Sequence, residues 1–136
     1  MQPTFQKIHK IKFSECDPAG IVFYPQYFVL FNDLIEEWIN SILPSGYEGI
    51  IVGRRIGMPT VHLEVDFKAI ARMGEEILLS LKVLHLGNSS IKLAWAASGK
   101  DGVIRLNVNQ TIVMTSLETH RPIPLPNDIR SAISAI

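Results

Sequence analysis

The chain has 136 residues, 47% of them hydrophobic and 19% charged, with 13 basic side chains against 13 acidic ones. That length is expected to form one domain over residues 1–136, large enough to fold round a single core without metal or disulfide staples. A formal net charge of zero argues against a nucleic-acid binder, whose affinity comes from clustered cations, and the apolar fraction excludes a disordered chain. So much apolar surface in so small a domain points to self-association.

Gln6 to Phe13 reads as a first, weakly patterned strand, and Cys16, the lone cysteine, has no partner for an internal disulfide. A single unpaired cysteine fits a reducing, cytoplasmic setting. The start of the chain lacks the uninterrupted apolar core of a signal peptide. Its longest apolar stretch, Ala19 to Phe31, is broken by Gly20, Pro25 and Gln26 and is too short for a bilayer. A soluble protein with no membrane partner is therefore expected.

Helical periodicity begins at Pro25. Phe31, Leu34, Ile35, Trp38, Ile39 and Ile42 recur at three- and four-residue spacing, with Asn32, Asp33, Glu36, Glu37, Asn40 and Ser41 on the other face. Tyr27 to Leu30 is apolar all round, which predicts first turns buried on every side. Pro25 suits a first-turn position and Pro44-Ser45-Gly46 ends the helix, giving bounds of about Pro25 to Leu43. A second short helix or turn is expected around Tyr47 to Arg54.

After Pro59 the period changes to two. Val61, Leu63, Val65, Phe67 and Ala69 alternate with Thr60, His62, Glu64, Asp66 and Lys68, predicting a strand with one buried face. Ile77 to Leu86, Ile91 to Ser98 and Val103 to Ser116 read as three more strands. Hairpin turns at Gly87-Asn88 and Gly99-Lys100-Asp101-Gly102 join them as antiparallel neighbours. Strand, long helix and four meandering strands make an α+β layer, one helix against a five-stranded antiparallel sheet. Such a sheet leaves edges bare, and pairing edge to edge with a second copy would cover them.

Few residues have the spacing of a known chemistry. Neither GxGxxG nor GxxxxGK[ST] occurs, no serine sits in a GxSxG elbow, and His9, His62, His85 and His120 form no metal-ligand cluster. The histidines read as polar-face strand or loop residues, and Cys16, with no neighbouring His or Lys, as a small buried packing residue. The segment between first strand and helix stands out: Asp17-Pro18-Ala19-Gly20-Ile21-Val22-Phe23-Tyr24-Pro25-Gln26-Tyr27. Asp17 before a proline is biased towards extended backbone, and Gly20 permits a left-handed turn. Two readings are open. The carboxylate could serve loop amides as ordinary turn chemistry, or it could act beside helix amides that stabilise an oxyanion.

That segment closely resembles the active-site loop of the 4-hydroxybenzoyl-CoA thioesterase family of hotdog-fold proteins. Gly57-Met58-Pro59 with the alternating strand after it, and Arg121-Pro122-Ile123-Pro124-Leu125-Pro126 ahead of a short helix at Asp128 to Ile136, resemble other parts of that family. The resemblance implies a hotdog fold and hydrolysis of an aromatic or medium-chain acyl-CoA, with no metal and no cofactor beyond the coenzyme A of the substrate. It gives Asp17 the role of nucleophile or general base and the Tyr24 amide that of polarising the thioester carbonyl. Pro18, Gly20, Phe23, Pro25, Tyr27, Asn32 and Thr60 are implied to meet the substrate, with Asp33 a further polar contact. It also implies a homodimer, and a homotetramer built as a dimer of dimers.

Two features bear on the substrate. The hairpin His85-Leu86-Gly87-Asn88-Ser89-Ser90 lacks the basic residues that hold nucleotide phosphates in the family, leaving Arg54, Arg55, Lys68, Arg72 and Lys92 as substitutes. Pro25 stands where other branches carry a histidine, which sides with aryl-CoA. A non-catalytic acyl-CoA-binding domain is the alternative. A hotdog hydratase or dehydratase is a third reading, disfavoured because no histidine lies between His9 and His62.

Overall fold

Residues 4–135 are described in a computed structural model, in which one long helix lies across an antiparallel sheet of five strands. Strand β1 (Phe5–Lys10) and a 3-10 turn at Phe13–Glu15 precede the helix α1 (Tyr24–Ile42). A short helix α2 (Gly46–Glu48) and a wider helical turn at Gly49–Gly53 occupy the place expected for a second short helix. Then come β2 (Ile56–Gly57), β3 (Thr60–Phe67), β4 (Glu76–Leu86), β5 (Ser90–Gly99), β6 (Ile104–Val113), β7 (Thr115–Ser116) and the helix α3 (Asn127–Ser134). The expected end of the last helix, Ile136, lies outside the described residues. Among the described residues no helix is long and apolar enough to cross a membrane.

The apolar stripe of α1 does what its spacing requires. Phe31, Leu34, Ile35, Trp38 and Ile39 are buried against inward residues of the sheet, Ile77, Leu79 and Leu81 on β4 and Leu93, Trp95 and Ala97 on β5. Phe31 stacks on Trp95 with ring centroids 3.8 Å apart, and Phe28 meets the same indole edge-on. The first turns are not enclosed on every side. Tyr27 and Leu30 are buried, but Val29 is 52% exposed, because the sheet covers one side of the helix only.

The sheet order is β1-β4-β5-β6-β3. The two hairpins do join β4, β5 and β6 as neighbours. The expected meander fails at β3, which pairs with β6 and not with β4. Its connection crosses the sheet to the opposite edge, a long-range choice that local turn signals cannot express. The expected strand from Val103 to Ser116 is also two elements, since β7 leaves the main sheet to pair with β2.

Strand β3 ends up as an edge whose apolar face is open: Leu63 and Phe67 are 42% and 54% exposed. From His62 to Phe67 the alternation holds, with Leu63, Val65 and Phe67 opposite the inward Gln110, Val108 and Leu106, and α1 does not extend over that edge. A β-bulge between Thr60 and His62 adds one correction. Thr60 pairs with the buried Ile112, so it points to the inner face with Leu63 and not to the polar face with His62.

A second bulge, between Ala97 and Ser98 in the register with β6, buries Arg105. Its guanidinium pairs with Glu75 and lies 3.4 Å from Asp101, and a side chain at Gly99 would collide with it. Burial pushes the Glu75 carboxyl up, but the Arg72 amide and the Arg105 guanidinium outweigh that and hold it below its ordinary value. A carboxyl depressed in the folded state adds stability above its unfolded pKa, and that stability is lost as pH falls through the folded value. Wild type should therefore lose stability on acidification from about pH 5 downwards. Arg105→Met should flatten that slope in urea titrations run at successive pH values; an unchanged slope would remove Arg105 from this account.

Candidate active site

The loop between β1 and α1 is zipped into a small hairpin. The Asp17 amide donates to the Ile21 carbonyl at 2.9 Å, the Phe23 amide to the Glu15 carbonyl at 2.9 Å, and Cys16 bridges to Val22. At its tip the Gly20 amide donates to the Asp17 carbonyl, with Pro18 and Ala19 at the corners and Gly20 at φ +76°. Nothing lies within 4 Å of a Cβ built at Gly20, so the cost of a side chain there is purely conformational. Gly20→Ala should lower stability by about 1–2 kcal/mol and Gly20→Asn by less, read from denaturant midpoints.

Asp17 is half-buried, and the turn uses part of it. The Ala19 amide donates to Oδ1 at 2.8 Å, the expected turn chemistry, while Oδ2 takes no hydrogen bond among the described residues. The same side chain thus serves the loop with one oxygen and presents the other.

The hairpin delivers the chain into α1 with no side chain capping the helix and no acidic residue in its first turn. Pro25 has no N–H, and the Gln26 amide turns back to the Phe23 carbonyl at 2.8 Å. Tyr24, the first helical residue, has no intrahelical acceptor, and its N–H finds none among the described residues. The positive end of the helix dipole is therefore expressed at one free amide.

Tyr24 and Tyr27 line an apolar cleft of about 290 Å³ with Ile21, Val22, Phe67 and Ile70. Phe67 meets Tyr24 edge-on at 6.1 Å, and Phe23 packs on Tyr24 from the other side at 5.6 Å. Burial above all pushes the Tyr27 phenol up to about 12, so it remains a neutral hydroxyl. Lys68 also lines this cleft, whereas Arg72 reaches the same loop by a bridge to Ile21.

Asn32 and Thr60 meet elsewhere, in a cavity of about 390 Å³ with Asp33, Glu36, Tyr47 and Gln110. The nine residues singled out in the sequence therefore fall into three groups within one chain. Asp17, Pro18, Gly20, Phe23 and Pro25 form the loop and helix entry, Tyr24 and Tyr27 the first cleft, Asn32 and Thr60 the second.

Sequence reasoning missed three polar features. His9 is not a solvated strand residue: its Nε2 lies 2.8 and 3.0 Å from the oxygens of the buried Glu15, which also accepts the Lys12 amide at 2.8 Å. That pair braces the loop two residues before Asp17, and only the chain reversal brings it together. The Arg105 cluster depends on a bulge. Gln110 had a visible signal, a polar side chain on the inward phase of Leu106, Val108 and Ile112. Cys16 is half-buried at the edge of the core, its Sγ 3.4 Å from the Lys12 carbonyl, with burial pushing the thiol up.

One long helix packed on an antiparallel sheet of five strands places the chain in the hotdog class of folds. The chain belongs to the Thioesterase-like superfamily, which it matches over residues 11–133. It is 27% identical over 131 residues to a 1,4-dihydroxy-2-naphthoyl-CoA hydrolase of Synechocystis sp., covering 96% of this chain and 94% of that protein. The crystal structure of a 1,4-dihydroxy-2-naphthoyl-CoA thioesterase from Synechocystis superposes with a TM-score of 0.87 at 22% identity, covering 97% of this chain and 96% of that one. A mutant 4-hydroxybenzoyl-CoA thioesterase in complex with 4-hydroxybenzoyl-CoA gives 0.84 at 19% identity, covering 95% and 97%.

Proposed function

We propose that the protein is an acyl-CoA thioesterase, releasing coenzyme A and a free acid from an aromatic or medium-chain acyl-CoA. The observation that carries this reading is the free Tyr24 amide at the head of α1, which follows in the chain directly on the hairpin whose Asp17 carboxylate keeps one oxygen unbonded. The amide would donate to the thioester oxygen as it gains negative charge. Asp17 Oδ2 either attacks the carbonyl carbon, expelling the thiolate to leave a mixed anhydride that water opens, or takes a proton from the attacking water. In both routes the thiolate leaves as coenzyme A, which is part of the substrate. Pro18, Gly20, Phe23 and Pro25 shape the loop against that substrate. The relatives named for dihydroxynaphthoyl-CoA and hydroxybenzoyl-CoA support an aromatic acyl group, as does the aromatic lining of Phe23, Tyr24, Tyr27 and Phe67.

The working unit is a homodimer, two of which build a homotetramer. The open face and edge of β3 support it. A two-fold antiparallel pairing centred near the middle of β3 brings the Thr60 end of one strand beside the Phe67 end of the other. Phe67 packs on Tyr24 in its own chain, so the second cavity of one copy adjoins the first cleft of the other. Asn32 is eight residues beyond Tyr24, about 12 Å along the helix axis, so one chain alone separates the two cavities by more than an aromatic ring. The lone Cys16 fits a cytoplasmic location.

Release of thiol from a panel of aliphatic and aromatic acyl-CoAs, followed with a thiol reagent, tests the activity. Binding without release would favour a non-catalytic acyl-CoA module, a reading supported by the engagement of Asp17 Oδ1 in the turn. Hydration of an enoyl-CoA instead would point to the His9–Glu15 pair.

A further inference from the structure

The hairpin that carries Asp17 is held to the body of the protein unevenly. Its second arm is tied through the main chain, the Val22 amide donating to the Ala71 carbonyl and the Met73 amide to the Gly20 carbonyl, both at 2.9 Å. Behind that segment the Glu75 carboxylate takes the Arg72 amide at 3.0 Å and pairs with Arg105. The first arm, residues 12–17, has no such ties. Among the described residues its main-chain hydrogen bonds either close the Phe13–Glu15 turn or cross to the second arm. One side-chain contact joins it to β1: the two oxygens of Glu15, 8% exposed, lie 2.8 and 3.0 Å from His9 Nε2.

His9 pairs across the sheet with the buried Ile77 and so points inward. Against two carboxylate oxygens its ring nitrogen is the donor. Other groups on the same cavity do not replace it. Lys7 is held by Glu37 at 2.6 Å, Lys12 reaches Glu15, among the described residues, only through its backbone amide, and Asp33 and Glu36 are acids. Glu15 in turn is joined to both reacting groups by its own backbone. Asp17 follows two residues later, and the Glu15 carbonyl accepts the Phe23 amide at 2.9 Å, directly ahead of the free Tyr24 amide. A rotation of Glu15 therefore shifts that carboxylate and that amide relative to one another. The pair itself lines a separate cavity of about 250 Å³, away from the Tyr24 cleft, so its effect on the chemistry runs through the loop.

We propose that His9, acting through Glu15, is a positioning residue that fixes the Asp17 carboxylate against the Tyr24 amide. This rests on the thioesterase reading and deepens it by naming what holds its two groups in register. Without the imidazole, the buried Glu15 carboxylate keeps a single backbone amide, so it turns to water and takes the first arm with it. A displacement of about 1 Å between reacting groups costs up to about 100-fold in rate. The apolar cleft stays in place, because Tyr24 and Tyr27 stand on α1, Phe67 on β3, and Ile21 and Val22 on the arm tied to Ala71 and Met73.

The test uses the acyl-CoA of the aliphatic and aromatic panel that wild type turns over fastest. His9→Leu should lower kcat about 10- to 100-fold and leave KM within about twofold. His9→Gln, whose amide places an N–H where the ring nitrogen stands, should recover most of the rate. A pair that only stabilises the fold would lower the thermal midpoint and leave the kcat of folded enzyme unchanged. That result, or a His9→Gln as slow as His9→Leu, overturns the proposal. Where His9→Leu does not fold, His9→Asn, too short to reach Glu15, takes its place in the comparison. Amide hydrogen exchange followed by NMR reads the loop without turnover. In His9→Leu the Asp17 and Phe23 amides should exchange about tenfold faster or more, while the Val22 amide, bonded to Ala71, keeps its protection. Wild-type protection at all three overturns the proposal. If wild type releases no thiol from any acyl-CoA, the hydrolase reading fails, and the exchange pattern alone decides whether His9 holds the loop.

Discussion

Asp17→Asn should abolish most acyl-CoA hydrolysis, with kcat falling about 100- to 10,000-fold, the usual contribution of a positioned acid–base or nucleophilic group. The substitution is clean because the turn needs only one acceptor from this side chain. An asparagine carbonyl oxygen can take the Ala19 amide as Asp17 Oδ1 does at 2.8 Å, so the hairpin and Gly20 keep their geometry. What disappears is the negative charge on the oxygen that the loop leaves unbonded. Circular dichroism and the denaturant midpoint should stay close to wild type while thiol release collapses. Turnover equal to wild type would assign Asp17 to loop structure alone and return the Tyr24 amide to an ordinary helix end. A fall in stability matching the fall in rate would say that the carboxylate holds the loop.

In the proposed dimer paired through β3, Leu63→Glu should leave only single chains and remove the activity with the assembly. Leu63 is in the middle of β3, on the inner face, 42% exposed in one chain and sharing that face with the exposed Phe67. In an antiparallel two-fold pairing the axis passes near this residue, so a carboxylate introduced there lies close to its own symmetry mate. Burying two like charges without counter-ions costs several kcal/mol, whereas in an isolated chain the same carboxylate faces water at little cost. Light scattering should show the mass of one chain, with the thermal midpoint governed by loss of association. If Leu63→Glu is still a dimer, the edge strand is not the seam, and the outer face of the sheet, with the half-buried Ser80, Ala94 and Ala96, becomes the alternative.

Much of this organisation is legible in the amino-acid sequence. The 3.6-residue period placed the long helix at Pro25 to Leu43, and the structure has it at Tyr24–Ile42. The hairpins at Gly87-Asn88 and Gly99 to Gly102 fixed the β4, β5 and β6 neighbours because turn chemistry is local. The Asp17 to Tyr27 segment was visible as a loop running into a helix, since Asp-Pro and a left-handed glycine constrain only their own backbone. Three misses share one cause. The position of β3 beside β6, the inward turn of Thr60 and the pairing of His9 with Glu15 each join parts of the chain that no short window contains. Two of the three hang on single-residue or edge effects. A bulge reverses the facing of Thr60 without altering the alternation that predicts it.

The sequence by itself determined the long helix and its buried stripe, the β4, β5 and β6 hairpins, and the loop in which a carboxylate precedes a helix. Each of these follows from periodicity and from backbone constraints a few residues long. Only the tertiary structure decided which face went uncovered. α1 is wide enough to bury the inner side of β4, β5 and β6, and β3 is left beyond it with Leu63 and Phe67 in the open. It also decided that the polar groups marked in the sequence lie in two separate cavities, because a helix spaces Tyr24 and Asn32 along its axis while the sheet returns Thr60 and Gln110 to the far one. The apolar excess that composition revealed has its place there, on an edge that a single chain cannot cover.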